Sequence, residues 1–141
     1  MKEVVTFLSF DGNCREAMEF YKKCFDAGLF LMPNSEAPGD FPWVTEQTKD
    51  RIMHSSLTKG SLTILMAADT VHGTPFQPGN NFSVTITCES QQEIDAIFAA
   101  LSENGQITMP LQQTFWSPRF GMLTDRFGIK WMLNLAQPPQ G

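Results

Sequence analysis

An internal repeat narrows what this chain can fold into more than any other feature. The same grammar occurs twice at an offset of 77 residues, pairing Asn13 with Ser90, Glu16 with Glu93, Phe20 with Ile97 and Gly28 with Gly105. The first copy opens on residues 4–10, β-branched and aromatic, which predict a strand. Asp11-Gly12 breaks it. Asn13 followed by Glu16 is a capping-box signature. Ala17, Phe20, Tyr21 and Cys24 then recur at helical spacing, and Gly28 predicts the helix stop. The second copy opens on residues 82–88, which alternate with period 2. Ser90 with Glu93 predicts another capping box, Ile94, Ile97, Phe98 and Leu101 a buried stripe, and Gly105 its stop.

The remainder of each copy also matches. Residues 52–58 and 61–67 read as strands around a Lys59-Gly60 turn. Residues 120–124 and 129–135 read as strands around a turn at 125–128, two residues longer. Short strands near 29–32 and 107–109 complete a βαβββ unit twice, giving an α+β fold class. A chain of 141 residues makes one domain. Module one covers about 1–68, a linker 69–81, and module two about 82–137. Residues 33–50 read as a long structureless polar loop, of a kind usually functional or disordered. Glu46 to Arg51 reads as its solvated end, and Pro138 to Gly141 as a frayed tail.

Composition excludes several function classes. Apolar residues make up 42% and charged residues 18%, with 12 Phe and 8 Met, so the chain is not a disordered polar segment. A net charge of -5 argues against nucleic acid as a partner. No apolar run reaches the ~18 residues of a membrane span, and the start lacks a leader's basic and apolar regions. A cytoplasmic location is expected. Cys14 and Cys24, ten residues apart on one helix, would lie about 15 Å apart, beyond disulfide reach. With Cys88, they are expected to be reduced, small and hydrophobic in character.

With these elements placed, the residues carry a resemblance. Asn13-Cys14-Arg15-Glu16-Ala17-Met18-Glu19-Phe20-Tyr21 follows the first strand, and Ile52-Met53-His54-Ser55-Ser56-Leu57 forms a middle strand. Thr114-Phe115-Trp116 leads into Phe120-Gly121-Met122-Leu123-Thr124-Asp125-Arg126-Phe127-Gly128-Ile129-Lys130-Trp131-Met132. Over essentially the whole chain this resembles the PhnB-like branch of the glyoxalase/bleomycin-resistance superfamily, the vicinal-oxygen-chelate proteins. The resemblance implies two βαβββ modules curling a mixed sheet around a cavity, in a homodimer. That superfamily hosts lyases, isomerases, dioxygenases and plain binding proteins, so the fold does not fix the function.

The superfamily's metal enzymes take His and Glu ligands from the first and last strand of each module. Here those strands contain no His, Asp or Glu, and the matching positions are Val5 or Thr6, Ile64 or Met66, Phe82 or Ser83, and Met132 or Asn134. Apolar side chains do not ligate divalent metals, so neither a metal nor another cofactor is expected. His54 and His72 are 18 residues apart and match no zinc spacing. His72 reads as solvated. His54, at the family's His position, reads either as a buried histidine ordering the sheet or as a pocket residue moving a proton. Phe115 and Trp116 are candidate ligand-contacting aromatics, and Trp131 is either a pocket wall or core. Met66 and Asn134 are candidate lining residues. Arg119 reads either as a clamp for an anionic ligand or as an ion pair. Asp125 reads as a turn residue.

The resulting expectation is a homodimeric, metal-independent protein that binds an unknown small molecule. The alternative is an enzyme of the same superfamily using His54 or an unrecognised metal site. Members are sometimes labelled as methyltransferases. The chain has no glycine-rich loop after a strand and no room for a doubly wound sheet, so methyl transfer is not expected.

Overall fold

The computed structural model describes residues 1–137, so the expected tail at Pro138 to Gly141 lies outside the described residues. The chain divides into two compact units, Met1–Gln77 and Pro78 onward, a division inside the expected linker. Unit one contains β1 (Phe7–Phe10), α1 (Cys14–Phe25), β2 (Gly28–Pro33), β3 (Ile52–Lys59) and β4 (Leu62–Asp69). Unit two contains β5 (Val84–Cys88), α2 (Gln91–Ser102), β6 (Gln106–Gln112), β7 (Phe120–Thr124) and β8 (Lys130–Leu135). Strand orders are β1-β4-β3-β2 and β5-β8-β7-β6, so each unit is βαβββ with the same topology. β1 runs parallel to β4, and β5 to β8, while the remaining neighbours are antiparallel. The two helices begin and end 77 residues apart, as the repeat predicts. Among the described residues, no helix is long and apolar enough to cross a membrane.

In unit one α1 packs on β2, β3 and β4. It buries Cys14, Ala17, Met18, Tyr21, Cys24 and Phe25, whereas Phe20 is only partly covered. Strand alternation turns Leu8, Phe10, Leu57, Leu65 and Ala67 to the same core. In unit two α2 buries Ile94, Phe98 and Leu101 against the side of the sheet holding Leu123, Trp131 and Leu133. Each such large apolar side chain contributes roughly 1.5–3 kcal/mol relative to exposure.

Three local readings are corrected. Asn13 sits at the N-cap of α1 but makes no side-chain cap bond. The Asp69 carboxylate at the end of β4 does this work from a distance. Its Oδ1 accepts from Gly12 N at 2.8 Å and Cys14 N at 3.0 Å, and its Oδ2 from Ile52 N at 2.8 Å. The second cap does form locally: Ser90 Oγ accepts from Glu93 N at 3.1 Å, and Glu93 Oε1 accepts from Glu89 N at 3.0 Å. Second, neither glycine stops its helix by left-handed geometry. Asp26 and Asn104 take positive φ, 50° and 57°. Gly105 is needed for close approach instead, since a Cβ there would lie 2.5 Å from Thr124 O. At Gly28 the nearest atom is the Thr58 hydroxyl, 3.1 Å away.

Third, residues 33–50 are not structureless. A short 3₁₀ turn spans Asn34–Glu36, and Asn34 N and Ser35 N donate to Arg51 O and Lys49 O. Thr48 is buried and donates from Oγ1 to Trp43 O at 2.7 Å. Phe41 and Trp43 pack with ring centroids 4.8 Å apart. Arg51 is not solvated either: its guanidinium donates to Asp11 Oδ1 at 2.9 Å and to Thr70 O at 2.8 Å. The loop is polar because its side chains close it on itself, as in compact Ω-loops.

The strands are also trimmed relative to expectation. β1 and β5 start at Phe7 and Val84, leaving Val4 and Phe82 exposed, while β6 extends to Gln112. Cys14, Cys24 and Cys88 are buried thiols outside any disulfide. Burial pushes the Cys14 thiol up to about 12, opposed by its hydrogen bond with Ser55. Burial, then the nearby Glu93 carboxylate, pushes Cys88 up to about 12.

Two predictions follow from this packing. Gly105→Ala drives a methyl into backbone and costs about 2 kcal/mol or more, whereas Gly28→Ala costs under about 1 kcal/mol because a threonine side chain can turn aside. Urea denaturation of both variants checks this, and equal costs would refute the close approach. Cys14 and Cys88 stay unmodified by a thiol reagent at pH 8 in the native protein and react once it is unfolded, read by peptide mass mapping. Because their folded pKa values are raised, the stability they contribute is full below about pH 9 and is lost as pH rises toward 12.

Candidate functional site

One helix covers one face of each sheet, so the other face is where strand alternation places the remaining side chains. In unit one, register puts Phe7 beside Met66, Met66 beside Ser56, and Ser56 beside Phe30. His54 lies on the same face, paired with Met32 on β2. Its ring centroid is 6.5 Å from that of Phe7, reaching across β4. Among the described residues the imidazole makes no hydrogen bond, and it is half-buried. His54 and Met66 are thus brought onto one face. Phe7, half exposed beside them, was not singled out from sequence. Its period-2 parity with Ser9 was the available signal.

In unit two the helix-free face carries Met132 and Asn134 of β8. Met132 pairs with Thr85 and Met122, and Asn134 with Thr87 and Phe120. Phe120 is buried and was also missed. Trp116 packs edge-on against Phe120 at 5.4 Å, and Phe115 packs edge-on against Trp116 at 4.7 Å. The loop presenting them is built by the buried Ser117. Its backbone N–H donates to Thr114 Oγ1, its carbonyl accepts from Thr114 N, and its hydroxyl donates to Arg119 O at 2.9 Å. This holds Trp116 48% exposed and Phe115 96% exposed, which leaves both rings available to a partner. The Asn134 Oδ1 is buried and, among the described residues, has no hydrogen-bond partner.

Other candidates are engaged elsewhere. Arg119 runs to α2, where its Nε donates to Asp95 Oδ1 at 2.7 Å. Trp131 is core, not a pocket wall: it is 2% exposed, and its indole N–H donates to Asp125 Oδ2 at 2.8 Å. Asp125 is the expected turn residue and more. Its Oδ1 also accepts from Phe127 N and Ile129 N. His72 is exposed in the linker.

A divalent metal of the superfamily type needs several imidazole or carboxylate donors on the helix-free positions of the first and last strands of each unit. The positions found there include Phe7, Ser9, Met66, Thr85, Thr87, Met132 and Asn134, and Asp69 is committed to backbone N–H groups. Among the described residues, no three His, Cys, Asp or Glu side chains converge. This donor set does not fit such an ion.

Comparison with known proteins places this architecture. The chain is 31% identical to protein YjdN of Escherichia coli (strain K12), over 95% of this chain and 97% of that one. It is 39% identical to PA1353 of Pseudomonas aeruginosa, with a TM-score of 0.84 over 98% of this chain and 100% of that structure. It is 31% identical to a Bacillus cereus PhnB protein, a putative 3-demethylubiquinone-9 3-methyltransferase, with a TM-score of 0.75 over 96% and 100% of the two chains. A glyoxalase/bleomycin resistance protein/dioxygenase family enzyme of Burkholderia phytofirmans, at 10% identity and a TM-score of 0.64, shares the fold alone over 94% and 97% of the two chains. The model of the family described as 3-demethylubiquinone-9 3-methyltransferase matches residues 2–134. With two βαβββ units of the glyoxalase/bleomycin-resistance fold and this match over nearly its whole length, the chain belongs to that PhnB-like family.

Proposed function

We propose that this protein binds a small organic molecule on its helix-free sheet faces, without a protein-held divalent metal. The observation that carries this reading is the composition of those faces. In unit one Phe7 and Met66 supply an adaptable apolar surface beside His54, and in unit two Met122, Met132 and Phe120 supply one beside Asn134. The donor chemistry of the first and last strands of each unit favours organic over ionic ligands. The exposed Phe115 and Trp116 add stacking surface.

The family's description is that of a methyltransferase. We read this chain otherwise: each sheet has four strands and one covering helix, and no strand is followed by a glycine-rich loop suited to an adenosylmethionine cofactor. A homodimer is part of the proposal, since twofold pairs are the commonest closed assembly. So is a cytoplasmic setting, which suits three buried cysteines outside any disulfide.

One observation favours a second reading. His54 has an imidazole that no hydrogen bond engages among the described residues, half-buried beside Phe7. An imidazole so placed can act as a general acid or base toward a bound substrate. In that reading the protein turns over a small substrate on the same face.

Dialysis against excess divalent metals followed by elemental analysis is expected to leave far less than one ion per chain. Stoichiometric retained metal would overturn metal independence. In a thermal-shift screen, members of a small-molecule library raise the melting temperature and S-adenosylmethionine does not. A several-degree shift with S-adenosylmethionine alone would restore the methyltransferase reading. Assays with α-keto and thioester substrates are expected to show no turnover. An activity that His54→Ala lowers by about 10²–10⁴-fold would replace binding with catalysis. Light scattering at micromolar concentration is expected to give a dimer.

A further inference from the structure

We infer that Asn134, together with Trp116 and Phe120, is a recognition point for flat aromatic or heteroaromatic ligands that carry an N–H or O–H donor. This deepens the binding reading above and rests on it. The starting point is Asn134 Oδ1, a buried acceptor without a hydrogen-bond partner among the described residues. A buried carbonyl oxygen left unpaired is costly, and native structures rarely keep one without a use. Its cross-strand neighbour Thr87 does not donate to it, although the register sets the two opposite each other.

The surroundings define what would satisfy it. Asn134 is paired on its other side with Phe120, against which Trp116 packs. Trp116 stays half exposed, and Phe115 beyond it is almost wholly exposed. The guanidinium of Arg119, next to Phe120 in the chain, is drawn to Asp95 on α2 and is already paired with a carboxylate. A carbonyl acceptor beside an exposed aromatic face fits a planar ring with a donor at its edge: the ring lies against Trp116 and the donor meets Oδ1. Asn134 as a residue is only half-buried. Its Oδ1 is itself covered, so binding requires the soft last side-chain torsion to turn that oxygen toward an offered donor.

Matched probes test this. Indole has an N–H donor, whereas benzofuran has nearly the same shape and none. Both are titrated into the full-length protein by NMR, following the Trp116 indole and Asn134 side-chain amide signals, with Asn134→Leu as the apolar isostere. Indole is expected to bind about tenfold more tightly than benzofuran, the worth of one net hydrogen bond, and Asn134→Leu is expected to erase that ratio. Equal binding of both probes by the wild type overturns the inference and leaves small-molecule binding intact. An indole preference that survives Asn134→Leu also overturns it, because the donor is then read elsewhere. If neither probe perturbs these signals the inference falls, and the binding reading is decided separately by the library screen. The wild-type comparison stands without the variant, so a poorly folded Asn134→Leu does not blunt the test.

Discussion

One carboxylate closes the first module. Asp69 ends β4, and its two oxygens receive backbone N–H groups from three separate places: the loop after β1, the first turn of α1 and the first residue of β3. Hydrogen bonds to a charged group contribute roughly 1.5–3 kcal/mol each, and the part-buried N–H groups of Cys14 and Ile52 would otherwise lack this partner. The contact fixes where α1 starts relative to the sheet. In the second module Ser90 caps α2 locally, and the buried carboxylate, Asp125, instead ties the turn before β8 to the indole of Trp131. The same topology is reached with the organising charge in a different place.

Covering one face of a sheet defines the other. Residues of odd parity on β1 and even parity on β3 and β4 go to the helix-free side in the first module, where Phe7, His54 and Met66 meet. In the second module the even positions of β7 and β8 do so, which puts Phe120 and Asn134 together under Trp116. Strand alternation sends Trp131 and Leu133 to α2 and sends Met132 and Asn134 away from it. Trp131, which the sequence leaves as either a pocket wall or core, is therefore a core residue with a satisfied N–H. The polar group left without a partner is the asparagine three positions later.

The repeat made most of the topology legible. Both helices, the hairpins around Gly60 and Gly128, and the βαβββ order follow from patterns within about a dozen residues of one another. The readings that failed depended on distant atoms. Asn13 has the right identity for a cap, yet a carboxylate 55 residues away from Cys14 takes the N–H. Gly105 follows its helix as a stop glycine would, yet what demands glycine is the carbonyl of Thr124 on another strand. The polar 33–50 loop has the composition of an unstructured linker, but Thr48 and Arg51 convert that polarity into internal hydrogen bonds.

The sequence by itself determined two copies of a βαβββ unit, an apolar chain rich in Phe and Met, and segments 4–10, 61–67, 82–88 and 129–135 without acid or imidazole. These are properties of residue type and short-range period, which need no partner to be read. Only the tertiary structure decided which aromatic rings stay exposed, that Arg119 is drawn to Asp95, and that Asn134 keeps an unpaired oxygen. The physical reason is that hydrogen-bond satisfaction and burial are set by pairs of groups far apart in the chain. Register and packing bring them together, and residue order does not encode that directly.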